Sequence, residues 1–507
     1  MSGFAALAGD LQAGFAVALT PDKLMFGVLG VVLGTAVGVL PGLGPAVAIS
    51  ILLPLTFGLD PTSAFILFGG IYYGTQYGGS TTSILINTPG DAGSSVSTFE
   101  GYPMARQGRG GVALATAAIG SFIGGTFATV MLMLVATSLA AISLFFGPPE
   151  YFALMLLALT MVAAMSGKSA ARAALALCLG LGLAMIGIDL QSGKARFTFG
   201  IAELYGGIDV ALGAIGLFAI GEALWSIATP AGGPSERLPT NRLWLTLDEW
   251  RRCFVPWVRG TIVGFFSGVL PGSGATLATF MSYGIEKRFA RDPKSFGKGA
   301  IEGLAAPEAA NNAAAGGSMV PLLALGIPGS ATTAVMLVAF QLYGLQPGPS
   351  LLENNKDLVW GLIASLYVAN VLLVILNLPL VGVWVQLLKV PRSLLTAIIL
   401  VFATVGAYSL QGSLGDVVIV WLLGCAAFVL RRYGFPIAPV LLGLVLGPLL
   451  EQELRRALAM SSGDPTIFVT RPIAATVMAV VFLSVATTIA SQLRARRAEA
   501  AAEGQAS

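Results

Sequence analysis

Gly38-Val39-Leu40-Pro41-Gly42-Leu43-Gly44 interrupts an apolar run, and Gly268-Val269-Leu270-Pro271-Gly272-Ser273-Gly274 interrupts another at an offset of 230. Two more pairs follow in the same order. Gly78-Gly79-Ser80 is matched by Gly316-Gly317-Ser318 at an offset of 238, and Pro89-Gly90 by Pro328-Gly329 at 239. Three ordered matches at nearly constant spacing mark an internal duplication, the kind of repeat that secondary transporters carry. Proline removes a backbone donor and disrupts the turn before it, while glycine leaves the backbone free. The chain therefore carries one set of helix breaks twice.

The medium around those breaks follows from composition. Of 507 residues, 56% are hydrophobic and only 10% charged, with a mean hydropathy of +0.83; soluble domains carry about 25% charged residues. So little polar surface cannot cover a water-exposed body of this size, and the chain needs lipid. A spanning helix takes about 20 apolar residues. The segments 112–139, 150–167, 169–188, 209–228, 358–380, 393–410, 415–430, 435–450 and 472–493 read as spans, whereas 24–90 and 257–346 are apolar but repeatedly broken. The expected fold is an all-α polytopic membrane protein of about 10–12 transmembrane helices, with broken or re-entrant helices in two inverted repeats.

Phe4, Leu7, Leu11, Phe15 and Leu19 recur at helical spacing with no basic residue before Lys23. Segment 1–20 thus reads as an interfacial helix rather than a secretory signal. The first repeat and its following spans occupy 21–229, a cytoplasmic connection 230–256, and the second repeat with its spans 257–493.

Arg494, Arg496 and Arg497 place the tail 494–507 in the cytoplasm. Counting back, Arg431/Arg432, Lys389/Arg392, the basic loop 287–298 and the connection carrying Arg237, Arg242, Arg251, Arg252 and Arg259 fall on the same side. Residues 411–414 and 451–471 fall outside, the latter despite Arg455, Arg456 and Arg471. Arg106 and Arg109, just past Pro89-Gly90, fall inside, while 347–355, the equivalent distance past Pro328-Gly329, falls outside. Equivalent points on opposite sides imply inversion.

A break in mid-membrane exposes N–H groups at new helix ends, which favour anions, and paired breaks point to a transporter's substrate site. The substrate-binding candidates are Pro41, Gly42, Gly44, Ser80, Thr81, Thr82, Asn87, Thr88, Pro89 and Gly90 in the first half. In the second they are Pro271, Gly272, Ser273, Gly274, Thr276, Pro328, Gly329, Ser330, Thr332 and Thr333. For a single Ser or Thr the plainer reading is close helix packing. Glu308, Asn311 and Asn312 share one face of an Ala-rich helix. An acid inside an apolar bundle is a functional candidate; this one either binds a coupling sodium ion or proton, or pairs with a lysine such as Lys298.

These segments closely resemble the large membrane subunit of the tripartite tricarboxylate transporters. The resemblance rests on Gly38–Pro45, on Tyr72-Tyr73-Gly74-Thr75-Gln76-Tyr77-Gly78-Gly79-Ser80-Thr81-Thr82-Ser83-Ile84-Leu85, and on Asn87–Gly90. It extends to Glu100-Gly101-Tyr102-Pro103-Met104-Ala105, Gly268–Gly274, Ala306–Ser318 and Leu325–Ser330. The resemblance implies a bacterial inner-membrane protein with two partners: a small membrane subunit and a periplasmic solute-binding protein that delivers a carboxylate. It implies uptake of a di- or tricarboxylate such as citrate, driven by a sodium or proton gradient.

Other classes fit less well. Gly167-Lys168-Ser169 lacks the glycine that a phosphate-binding loop requires at Val162 and reads as a cytoplasmic turn. No histidine is present, which removes Ser–His catalysis and the usual metal ligand. Asp189, Asp209 and Asp416 show no partnering motif, while Glu222 and Asp416 read as interfacial. Cys178, Cys253 and Cys425 read as small core residues. No enzyme is expected, and no cofactor beyond the coupling ion. A channel-like anion pore, working without a binding protein, is the alternative.

Overall fold

The computed structural model describes residues 2–40, 42–143, 145–165, 169–189, 192–229, 242–272, 274–387 and 390–506. Pro41, Ser273, Gly167, Lys168, Lys389 and residues 230–241 of the central connection, with Arg237, lie outside them. The chain is an all-α polytopic membrane protein. Seven helices among the described residues are long and apolar enough to cross a membrane, and four further apolar helices are shorter. Two more, Pro61–Ile86 and Ile301–Leu325, are 26 and 25 residues long but rich in Gly, Ser, Thr and Asn. Both are buried along almost their whole length. A helix enclosed by protein need not be apolar towards lipid, which is why these two escape an apolarity criterion.

The chain divides into two compact units. The first, residues 1–143 and 209–429, holds both sets of breaks. Pro21–Val39 packs along Pro61–Ile86, and Leu247–Val269 packs along Ile301–Leu325. Glycine is the reason for both pairings. At Gly30, Gly34 and Gly38 a Cβ would collide with the backbone of Leu67, Ile71 and Thr75. At Gly260, Gly264 and Gly268 it would collide with Ala306, Ala310 and Ala314. The two glycine triads stand at an offset of 230 and let each helix pair approach backbone to backbone, the association mode available where lipid removes the hydrophobic drive. The small-residue spacing Gly-x3-Gly-x3-Gly was present in the sequence as a signal for this pairing.

Tyr72 meets Ser318 while Ser80 meets Glu308. The two central helices of this unit therefore run antiparallel. The Ser2–Ala18 helix lies against Lys356–Asn377, with Gly14 on the backbone of Trp360. Of the three cysteines only Cys253 is in the core; Cys178 and Cys425 are exposed, since an apolar outer face of a membrane helix suits a small apolar side chain as well as a core does.

The second unit, residues 144–208 and 430–507, packs Ala170–Ala184 on Ala438–Met460 and Pro148–Met165 on Pro472–Ala506. A short hairpin pairs Gly187–Ile188 with Ala195–Arg196. Arg455 binds Asp189 at 2.9 Å and Glu451 at 2.6 Å, Arg456 binds Glu453 at 2.9 Å, and Arg471 binds Glu150 at 2.8 Å. The three arginines that depart from the charge rule in 451–471 thus each have a carboxylate partner.

Candidate functional site

Each half folds its break in the same way. The Gly42 N–H donates to the Gly90 carbonyl at 3.1 Å, and the Gly272 N–H donates to the Gly329 carbonyl at 3.0 Å. Gly90 sits against the Gly38 carbonyl and the Gly79 Cα; Gly329 sits against the Gly268 carbonyl and the Ser318 Cα. Any side chain at Gly90 or Gly329 would push the turn off its partner helix. Gly42 and Gly272 have φ of 87° and 79°, where only glycine is unstrained. The Pro-Gly signals therefore belong to one interlocked structure per half. Gly44 precedes the Pro45–Leu52 helix, and Gly274, with φ of 56°, opens Gly274–Phe289.

The turns that follow the central helices also correspond. Asn87, with φ of 54°, and Gly326, with φ of 69°, each end a helix in the left-handed region. In the first half the Ser94 N–H donates to Asp91 Oδ1 at 3.0 Å and the Asp91 N–H to Ser94 Oγ at 3.2 Å. In the second half the Thr333 N–H donates to Ser330 Oγ at 3.2 Å and the Ser330 N–H to Thr333 Oγ1 at 2.8 Å. Both are reciprocal capping pairs, satisfying donors that a helix start leaves open. Asp91 and Ser94 stand 239 residues before Ser330 and Thr333, the offset of the Pro-Gly pair itself.

Glu308 is fully buried in the first half of Ile301–Leu325. Ser80 Oγ donates to its Oε2 at 2.7 Å, Ser97 Oγ donates to its Oε1, and Ser121 Oγ stands 3.5 Å from Oε2. Three helical segments, Pro61–Ile86, Ser97–Met104 and Gly110–Ser143, each supply one serine. No ion pair joins Glu308 to Lys298 or to any other cation among the described residues; Lys298 instead offers its carbonyl to Gln107 Nε2 at 2.7 Å. One turn on, Asn311 is buried with neither side-chain atom hydrogen-bonded among the described residues, and Asn312 has Nδ2 on the Glu308 carbonyl at 3.4 Å and an Oδ1 unpaired among them.

Ser80 and Glu308 thus meet directly, and Ser330 with Thr333 forms the second turn. Thr81 lines a small recess with Tyr77 and Ser121. Thr82 and Thr88 are used within their own turn, Thr82 Oγ1 donating to the Gly79 carbonyl at 3.0 Å and the Thr88 N–H to the Thr82 carbonyl at 3.4 Å. Pro89 is half-buried there and Pro328 buried in its counterpart, Thr332 is buried, and Asn87 and Thr276 are exposed. Pro271 is half-buried beside Gly272. Pro41 and Ser273 fall outside the described residues.

Residues that sequence reading did not assign to the site complete it. Tyr72 Oη lies 3.0 Å from Ser318 Oγ and 3.3 Å from Ser330 Oγ, tying the first half's helix to the second half's turn. Asp91 and Ser97 bring a carboxylate and a hydroxyl to the first turn. Glu222, read as interfacial, has Oε1 3.7 Å from where a Gly42 Cβ would stand. Glu100, fully buried, accepts from Tyr283 Oη and from the Gly297, Gly299 and Ala300 N–H groups at 2.5–2.8 Å, so the first half's carboxylate covers the start of Ile301–Leu325. The register of the repeat was the signal for Asp91 and Ser94; nothing local distinguishes Glu100.

Twin interlocked breaks and a buried acid thus stand within one compact unit of this polytopic membrane protein. Residues 24–442 match the family described as Tripartite tricarboxylate transporter TctA family. The chain belongs to that family and is a membrane component of a tricarboxylate transporter that works with partner subunits. It is 46% identical over 491 residues to a protein of Agrobacterium vitis described as the uncharacterized 52.8 kDa protein in the TAR-I ttuC' 3'region, covering 97% of this chain and 98% of that one. A second Agrobacterium vitis protein, the uncharacterized protein in the TAR-II ttuC' 3'region, is 48% identical over 234 residues, 46% of this chain and 97% of its own length. No solved structure matches the chain.

Proposed function

We propose that this protein carries out secondary active uptake of a small di- or tricarboxylate, such as citrate, across the bacterial inner membrane. A periplasmic binding protein delivers the substrate, a small membrane subunit completes the complex, and a sodium or proton gradient drives the cycle. The observation that carries this reading is Glu308: a fully buried acid held by three serine hydroxyls, with no cationic side chain paired to it among the described residues. An uncompensated carboxylate inside a bundle costs several kcal/mol. Such a group is retained where a travelling cation or proton neutralises it during the cycle.

The carboxylate substrate is assigned to the paired breaks, where small residues leave backbone accessible and hydroxyls are at hand. The antiparallel course of the two central helices supports an inverted arrangement of the halves, with the tail 494–507 in the cytoplasm.

The test is uptake of labelled citrate into vesicles holding this chain and its small subunit, with the periplasmic protein added or withheld under an imposed sodium or proton gradient. Accumulation that needs both the binding protein and one gradient is expected. Flux that equilibrates without either sinks the reading in favour of a channel-like pore. Glu308→Gln is expected to insert normally and to lose gradient-driven accumulation.

A further inference from the structure

The turn that follows Pro61–Ile86 brings a second acid to the same buried face. Asp91 is half-buried and holds its backbone with both oxygens, Oδ1 on the Ser94 N–H at 3.0 Å and Oδ2 on the Gly93 N–H at 3.2 Å. Each carboxylate oxygen keeps acceptor capacity beyond one such bond. Gly93 is the point of convergence. The place a Gly93 Cβ would occupy is in contact with Asn311 Oδ1 and lies 3.1 Å from Asp91 Oδ2. A glycine is needed here because any Cβ would strike the Asn311 amide oxygen and crowd the Asp91 carboxylate and the Ala275 methyl group.

Asn311 is the independent observation. It is 1% exposed, its carbonyl oxygen is aimed at Gly93, and neither Oδ1 nor Nδ2 has a hydrogen-bond partner among the described residues. Leaving a buried amide unpaired is unfavourable, and native proteins seldom do so without a reason. The equivalent place in the other half shows what a purely structural arrangement looks like. There Ser330 stands where Asp91 stands, and Tyr72, 239 residues before Asn311, has its hydroxyl within 3.3 Å of Ser330 and 3.0 Å of Ser318. That side is neutral and fully paired. The Asp91 side is acidic, and its asparagine is unpaired among the described residues.

We propose that Asp91, Asn311 and Glu308 form the binding site of the coupling cation, and that this cation is sodium, held directly by the Asp91 carboxylate and the Asn311 carbonyl oxygen with the Glu308 charge behind them. The assignment rests on the transport reading only for the word coupling; the site itself is a cation site in either case. Every donor is a hard oxygen, which selects alkali and alkaline-earth ions over softer metals. Glu308 already accepts three serine contacts, so it supplies charge more than ligation. No group of three or more Asp, Glu, His or Cys side chains that could hold a metal occurs among the described residues. Calcium sites bring several carboxylates to the ion, whereas here only the Asp91 carboxylate faces the amide, the Glu308 carboxylate being held by serine side chains. A monovalent ion matches this set better.

The test needs no substrate. Thermal unfolding and binding of radioactive sodium are followed on the purified full-length chain in detergent, with sodium, potassium or choline chloride at constant ionic strength. Sodium, and not potassium, should raise the unfolding temperature saturably. Asn311→Leu removes no hydrogen bond of the protein, so it should unfold at the same or a higher temperature without sodium, yet weaken sodium binding about tenfold or more. Asp91→Asn should weaken it at least as much. Sodium binding unchanged in Asn311→Leu overturns the site, as does indifference of the unaltered protein to sodium or its displacement by micromolar calcium. Sodium binding by a protein that fails to accumulate citrate leaves the site standing and removes the transport reading. Gradient-driven uptake by a protein without sodium binding does the reverse.

Discussion

The two turns that follow the central helices share a backbone and differ in chemistry. Both are reciprocal capping pairs, Asp91 with Ser94 and Ser330 with Thr333, seated by a glycine on the partner helix. In the second, serine faces a tyrosine hydroxyl that pairs with it. In the first, aspartate faces an asparagine with no partner. Duplication supplied one scaffold twice, and the copies differ in the charge they carry. Capping tolerates Asp or Ser alike, so the choice of Asp at 91 answers to something beyond the turn.

Exchanging the two residues is the sharpest way to break the comparison. Asp91→Ser keeps a good cap and should leave the unfolding temperature in sodium-free buffer within a few degrees, while sodium-dependent uptake falls about ten- to hundredfold, the scale of losing a ligand's support. Equal uptake by Asp91→Ser would make the two turns functionally alike. Next in size, Gly90→Ala and Gly329→Ala both crowd the seat of a turn. The first meets backbone on two sides and should cost about 1–3 kcal/mol, whereas the second, whose nearest atom is a serine Cβ at 2.9 Å, should cost less; unfolding of the purified variants gives the ranking. Tyr72→Phe removes the hydroxyl that pairs the second turn and should cost about 1 kcal/mol without altering sodium binding. Smallest, Ser94→Ala and Thr333→Ala each remove one side of a cap, about 0.5–1 kcal/mol by the same measurement, and a much larger loss at Ser94 alone would show that the first turn is the more strained.

Much of this was legible in the chain. Low charge, long apolar runs and the recurring Pro-Gly breaks specify the fold class because lipid forbids unpaired backbone outside helices. Glu308 stood out because an acid in an Ala-rich helix is conspicuous. Asp91 did not: it follows Pro89-Gly90 in a polar stretch where an aspartate is ordinary turn chemistry. Only the register of the repeat, which sets it against Ser330, and the packing, which sets it against Asn311, reveal it. Tyr72 reads as one more aromatic of a buried helix until its hydroxyl is seen to reach the other half. Several candidate hydroxyls, such as those of Thr82 and Thr88, are spent on local backbone, a use that spacing alone does not separate from solute binding.

Glu100 has a mechanical consequence. Its carboxylate gathers three backbone N–H groups and a tyrosine hydroxyl at the head of Ile301–Leu325, while its own helix, Ser97–Met104, begins with the serine that holds Glu308. Four hydrogen bonds to one buried carboxylate in a partly buried joint make that joint costly to open. The head of that helix and the Ser97–Met104 segment are therefore tied into one piece, so a relative motion of the two halves, if the proposed transport uses one, would hinge elsewhere than at this joint.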